Sequence, residues 1–156
     1  ILDFESVEDS TGEGVAEALN TGMPAGLRVL DCYAVTRPVR EMTYLRARLE
    51  MEYDNGVPEG AAERIRELFA RQEVLVEKRT KHKGMTELNI APLIRSLTLE
   101  QCEGMIAGDA VVAAQDPGLY PALIGAAVAR HLPDIAPDFV RVRRKEVYDG
   151  EMNVFR

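Results

Sequence analysis

The residues of this chain that could do chemistry are mainly cations, and eight of its 19 Lys and Arg residues fall in two short runs, at 78–83 and 141–145. Cations gathered on one surface can follow a phosphate backbone, so these runs indicate a local site for RNA or another anionic ligand. The alternative is a solvated sheet face on which the arginines pair with Glu50, Glu52 and Glu146. The candidate anion-binding residues are Lys78, Arg79, Lys81, His82, Lys83, Arg95, Arg141, Arg143, Arg144 and Lys145.

No residue pattern typical of a catalytic or metal site accompanies these cations. His82 and His131 are the only histidines, and neither has a Cys, His or carboxylate at ligand spacing. Cys32 and Cys102 are far apart, which favours two buried thiols in a reducing compartment; a disulfide or a metal pair is the alternative. We therefore predict no catalytic residue, no metal ligand and no cofactor bound by this chain.

Charge is unevenly distributed along the chain. The net charge is −7, and residues 1–60 carry 12 acidic residues against 5 arginines, whereas residues 61–156 carry 14 acids and 14 bases. The chain as a whole is thus no polyanion binder, and any nucleic-acid surface must be local. No apolar run approaches the roughly 18 residues of a membrane span, and no secretory leader opens the chain, so we expect a soluble cytoplasmic protein.

The second part of the chain alternates strand and helix patterns. The clearest strand is 43–54, in which apolar and charged residues alternate, and a helix is predicted over 58–72, with a strand at 74–76. A hairpin with arms 94–100 and 105–113, a helix over 116–132 and a strand over 139–148 follow. Residues 43–148 therefore read as an α+β, ferredoxin-like β-α-β-β-α-β sandwich within a domain at 43–156, with both helices on one sheet face. On the last strand, Arg141, Arg143 and Lys145 are predicted on one face and Arg144 on the other.

The first part of the chain reads as a β-α-β segment over residues 1–36. A strand is predicted at 1–8, a helix at 10–20 and a strand at 27–35. Such a segment cannot cover its own sheet. We expect it to be the second half of an upstream ferredoxin-like unit, or to complete its sheet across a homodimer.

Several stretches resemble the bacterial DUF2344 family of radical SAM-linked proteins of unknown function. The most specific is ALNTGMPAGLRVLD (18–31), and the others are ILDFES (1–6), TELNIAPLIRSLTL (86–99) and RVRRKEVY (141–148). Asn89 and Ala91 stand where the family tends to carry an acidic residue and an arginine, and the family's N-terminal region is absent.

The resemblance implies an accessory role beside a radical SAM protein, which would carry the iron–sulfur cluster, SAM and cobalamin. Its substrate would be RNA or ribosome-linked. Two alternatives stay open: a protein-interaction module that uses the acidic first 60 residues or an open sheet edge, and an enzyme whose site is supplied by an upstream half.

Overall fold

The computed structural model describes residues 11–34, 37–80 and 84–155, without the side chains of residues 79 and 80. The chain divides into two compact units, Ile1–Pro38 with Arg156, and Val39–Phe155. The expected strand at 1–8 lies outside the described residues.

The first unit contains one described helix, α1 (Gly12–Thr21), which begins at a side-chain cap. The Thr11 hydroxyl accepts a hydrogen bond from the Gly14 N–H at 3.3 Å. Residues 27–34, predicted as part of a strand, form no strand ladder within the described part of the chain. The Asn20 side chain instead forms hydrogen bonds with both backbone groups of Val29: it accepts from the N–H at 2.7 Å and donates to the carbonyl at 3.1 Å.

The second unit confirms the α+β class. A four-stranded antiparallel sheet has the order β4-β5-β1-β6, and β2 and β3 pair separately as a two-stranded antiparallel sheet. The elements in chain order are β1 (Tyr44–Glu52), α2 (Ala61–Phe69), β2 (Leu75–Thr80), β3 (Gly84–Asn89), β4 (Ile94–Cys102), β5 (Met105–Ala113), α3 (Ala122–His131) and β6 (Phe139–Tyr148).

Strand β1 lies between β5 and β6, and its residues Leu45, Ala47, Leu49 and Met51 turn to one face. Leu49 and Met51 are fully buried there. Leu49 belongs to a core cluster with Leu68 of α2 and Ile124 of α3, so both helices cover the same face of the sheet. The opposite face carries the charged residues that alternate with this apolar set.

The strand predicted at 74–76 is not part of the main sheet. Leu75 and Val76 are the first two residues of β2, which pairs antiparallel with β3. Without this pair, the remaining elements follow the β-α-β-β-α-β order, so the β2–β3 hairpin is an insertion after α2. Strand β3 was not predicted, because residues 84–89 lack the alternation of apolar and polar residues that indicates a strand.

Two contacts fix the hairpin to helix α3, and the Asn89 side chain closes the base of the hairpin itself. His131 Nε2 donates to the Leu75 carbonyl at 2.8 Å, since a carbonyl oxygen only accepts, and Arg130 pairs with Glu87 at 2.6 Å. At the base, the Asn89 carboxamide accepts from the Val74 N–H at 2.9 Å and donates to the Gln72 carbonyl at 3.2 Å. These contacts hold β2 beside the start of the main sheet.

Helix α3 begins at Ala122, six residues later than the predicted start at residue 116. The Leu119 N–H donates to the Ala113 carbonyl at 2.9 Å, and the Leu119 side chain is buried. This loop therefore folds back onto the end of β5 before the helix starts, and it places Asp116 and Tyr120 on the surface.

Candidate anion-binding cleft

A cleft of about 450 Å³ lies where β1 begins and β5 and β6 end. Its apolar lining includes Leu45, Leu119 and Val147, the last two of which are buried. Five polar or aromatic side chains line the same space: Lys78 from β2, Arg144 from β6, and Gln115, Asp116 and Tyr120 from the loop between β5 and α3. Ligand pockets commonly have this size and this combination of an apolar lining with a few convergent polar groups.

Two of the predicted cations, Lys78 and Arg144, meet in this cleft although they are 66 positions apart in sequence. Lys78 comes from the inserted hairpin. Arg144 comes from β6, where it lies opposite the buried Ala47 and hence on the helix-covered face. Within the described residues, neither side chain forms an ion pair.

An irregularity in β6 determines which of its cations reach the cleft. Arg144 pairs with Ala47 and Glu146 pairs with Arg46, so Lys145 is an extra residue in a β-bulge. The bulge breaks the predicted alternation: Glu146, rather than Lys145, continues the face of Arg141 and Arg143. Lys145 is exposed beside the bulge.

The opposite sheet face carries arginines that are largely neutralised by acids. Asp109 accepts from Arg46 Nε and from Arg48 at 3.0 Å each, and Arg141 pairs with Glu52 at 3.1 Å. Arg143 lies directly opposite Arg48 and forms no ion pair among the described residues. This face agrees with the alternative of a solvated, paired surface more than with a phosphate track.

Asp109 is held ionised by its two arginines. Burial acts to raise the pKa of its carboxyl, but hydrogen bonds from Arg48 and Arg46 outweigh burial and lower that pKa below its ordinary value. Asp109 therefore binds two arginines of the open face, that is, the sheet face opposite the helices. The sequence did not predict this role, because the pairing depends on the β1–β5 register.

The Asp109→Asn substitution should destabilise the second unit in a pH-dependent way. A lowered folded-state pKa contributes stability above the unfolded value of about 3.9, and this contribution is lost as the pH falls through the folded value. We expect a loss of about 1–2 kcal/mol at pH 7 that shrinks below about pH 4, measured by urea unfolding. Asp134→Asn, which removes the exposed Arg64–Asp134 pair, should cost less. A loss from Asp109→Asn that is independent of pH would contradict this account.

Of the remaining predicted site residues, the structure describes only the side chain of Arg95, which does not line the cleft. The Arg95 guanidinium lies over the Tyr44 ring at 4.8 Å from its centroid and donates to the Tyr44 hydroxyl at 3.1 Å. Nothing is described of the Arg79 side chain, and Lys81, His82 and Lys83 lie outside the described residues. Sequence analysis missed Tyr120, because it assigned this residue to a helix.

Other kinds of site are not found in the described residues. No group of three His, Cys, Asp or Glu side chains in this part of the chain could hold a metal ion. No described helix has the length and apolar character needed to cross a membrane. Cys32 and Cys102 are both free; Cys102 is exposed and Cys32 is half-buried, so the prediction of two buried thiols is wrong.

The fold and cleft define an α+β sheet–helix domain with a cationic, aromatic cleft beside an inserted hairpin. The family model DUF2344, described as an uncharacterized protein conserved in bacteria, matches residues 1–121. The chain belongs to this family. The resemblance noted for residues 141–148 lies beyond the matched residues. Neither the curated proteins nor the solved structures contain a match to this chain.

Proposed function

We propose that this chain is a non-catalytic accessory domain that binds RNA through its phosphates and works with a radical SAM enzyme. One observation carries the RNA part of the proposal: Lys78 and Arg144, from different elements, line one concave surface, and neither forms an ion pair within the described residues. A phosphate entering the cleft would contact two cations without first displacing a carboxylate partner.

The cations near the cleft are better placed for a ligand than those of the open face. Arg46, Arg48 and Arg141 already bond to carboxylates, which an incoming phosphate would have to displace. Lys145 is exposed at the bulge next to Arg144, so the positive surface extends from the cleft along the end of β6. The proposed RNA contact is therefore this cleft and the bulge, rather than the sheet face as a whole.

The radical SAM partner is proposed from the family alone. The resemblance to radical SAM-linked proteins supports a division of labour in which the partner carries the iron–sulfur cluster, SAM and cobalamin. The chain would present the RNA to that enzyme.

Anisotropy of short labelled RNAs, tRNA included, tests the RNA contact on the full chain at about 50 and 200 mM salt. We expect binding that weakens with salt. The double substitution Lys78→Gln with Arg144→Gln should lower the affinity across RNA sequences and flatten the salt slope by about 1.4, since each single-strand phosphate contact contributes about 0.7.

A matched control and two contrary outcomes make this test decisive. Arg71→Gln removes one positive charge from an exposed position that does not line the cleft, and it should leave the slope unchanged. No RNA binding at low salt would reject the proposed function. Binding with an unchanged slope in the Lys78/Arg144 double variant would reject the cleft as its site.

A second candidate function, contact with a protein partner, is favoured by the apolar surface of the first unit. Leu30 is 90% exposed and Leu27 is 60% exposed. This candidate predicts a complex with the radical SAM enzyme that survives nuclease treatment and high salt, and that Leu30→Asp weakens. If that complex is lost with nuclease, this candidate fails.

A further inference from the structure

Tyr120 gives the cleft a component that phosphate binding alone does not require. Tyr120 is 67% exposed, although it lines the same cleft as the buried Leu119 and Val147. An exposed ring beside cations offers a flat face on which a nucleobase can stack. Tyr120 stands immediately before Pro121, where the loop passes into α3.

Asp116 is the second such component. A carboxylate beside Lys78 and Arg144 lowers the attraction of the cleft for a bare anion. For a nucleotide it is useful, because a carboxylate can accept hydrogen bonds from ribose hydroxyls or from an exocyclic amine. Two cations, one carboxylate and one open ring thus match the phosphate, sugar and base of one nucleotide.

We infer that the cleft binds one ribonucleotide, with the phosphate at Lys78 and Arg144, the ribose near Asp116 and the base stacked on Tyr120. The inference rests on the proposed RNA-binding function and names the unit that the site recognises. The volume of about 450 Å³ falls within the range of pockets that hold small ligands. The ribonucleotide can be free or part of a single strand, and both sources share this chemistry.

The test uses a short single-stranded RNA that contains one 2-aminopurine, whose fluorescence is quenched when it stacks on a ring. The chain has no tryptophan, so the probe signal is clean. Wild-type protein should quench the probe. Tyr120→Ala should abolish the quenching and weaken binding about 5- to 150-fold, the range that corresponds to about 1–3 kcal/mol of base stacking. Tyr120→Phe keeps the ring and should bind within about twofold of wild type.

Phe139→Ala is the matched control, because Phe139 is 55% exposed at the opposite face of the sheet, next to Glu52. It should leave both affinity and quenching unchanged. Competition identifies the source of the nucleotide: AMP that displaces the RNA better than ribose 5-phosphate supports a free nucleotide. Displacement only by single-stranded oligonucleotides supports a nucleotide within a strand.

Failure of this inference is distinct from failure of the proposed function. If Tyr120→Ala binds RNA and quenches the probe like wild type, while the Lys78/Arg144 double variant is weakened, the base site is rejected and phosphate binding stands. If wild-type protein binds neither RNA nor AMP, the proposed function and the base site are both rejected, whereas binding of AMP without RNA would reject the proposed function alone.

Discussion

Replacing Gly108 by alanine is expected to destabilise the second unit by about 2–3 kcal/mol, the upper end of the usual cost of overpacking. Gly108 is buried in β5 between β4 and β1. An added Cβ would overlap the Thr98 backbone carbonyl oxygen and lie 2.8 Å from Leu99 Cδ2. Alanine gains about 0.5–1 kcal/mol over glycine within a strand, which is too little to offset this overlap.

Urea unfolding followed by tyrosine fluorescence measures this loss in the relevant unit, because four of the five tyrosines lie in Val39–Phe155. Leu99→Ala tests the cause. It removes the side-chain contact but leaves the carbonyl in place, so it should not rescue Gly108→Ala. A Gly108→Ala protein within about 0.5 kcal/mol of wild type would show that β4 moves aside easily.

Replacing Gly125 by alanine should also destabilise the second unit, but this loss can be rescued. Gly125 lies in α3, and an added Cβ would be 2.6 Å from Val140 Cγ2 and 3.2 Å from Val140 Cβ. Alanine gains about 1 kcal/mol of helix propensity over glycine, so we expect a net loss of about 1–2 kcal/mol by urea unfolding.

The partner here is a side chain, so space can be created for the new methyl group. In the Val140→Ala background, Gly125→Ala should be neutral or stabilising, which gives a coupling energy of about 1–2 kcal/mol in a double-mutant cycle. Additive losses would show that the clash does not govern the packing of α3 on β6. The two substitutions therefore compare a clash with backbone, at Gly108, which no side-chain substitution relieves, with a clash with a side chain, at Gly125, which a substitution at Val140 relieves.

The main sheet was predictable because its residues alternate strongly. Strand β1 and the β4–β5 hairpin follow from apolar spacing and from turn residues such as Gly104, which has a φ of 70°. The β2–β3 hairpin was not predictable in full, since its polar, basic sequence lacks the alternation of apolar and polar residues that indicates a strand. Helix α3 contacts the hairpin from outside through His131, and the Asn89 carboxamide of β3 closes its base; a local sequence pattern shows neither contact.

The cleft was predictable only in part. Both runs of cations were visible in the sequence, but the meeting of Lys78 and Arg144 depends on the inserted hairpin and on the sheet register. Tyr120 was hidden for a different reason: Pro117 resembles a helix start, whereas the Leu119–Ala113 hydrogen bond holds the segment as a loop.

The two outer strands of the four-stranded sheet are both poor templates for further strands. Thr98 directs its carbonyl towards β5, so the carbonyl of the next residue, Leu99, points away from the sheet, where the Arg66 guanidinium donates to it at 2.7 Å. On the other side, the bulge at Lys145 interrupts β6. Natural sheets use β-bulges to resist aggregation through edge pairing, and the Arg66 hydrogen bond occupies a carbonyl that an added strand would need. We therefore expect partners of this domain to engage its side chains rather than to extend its sheet.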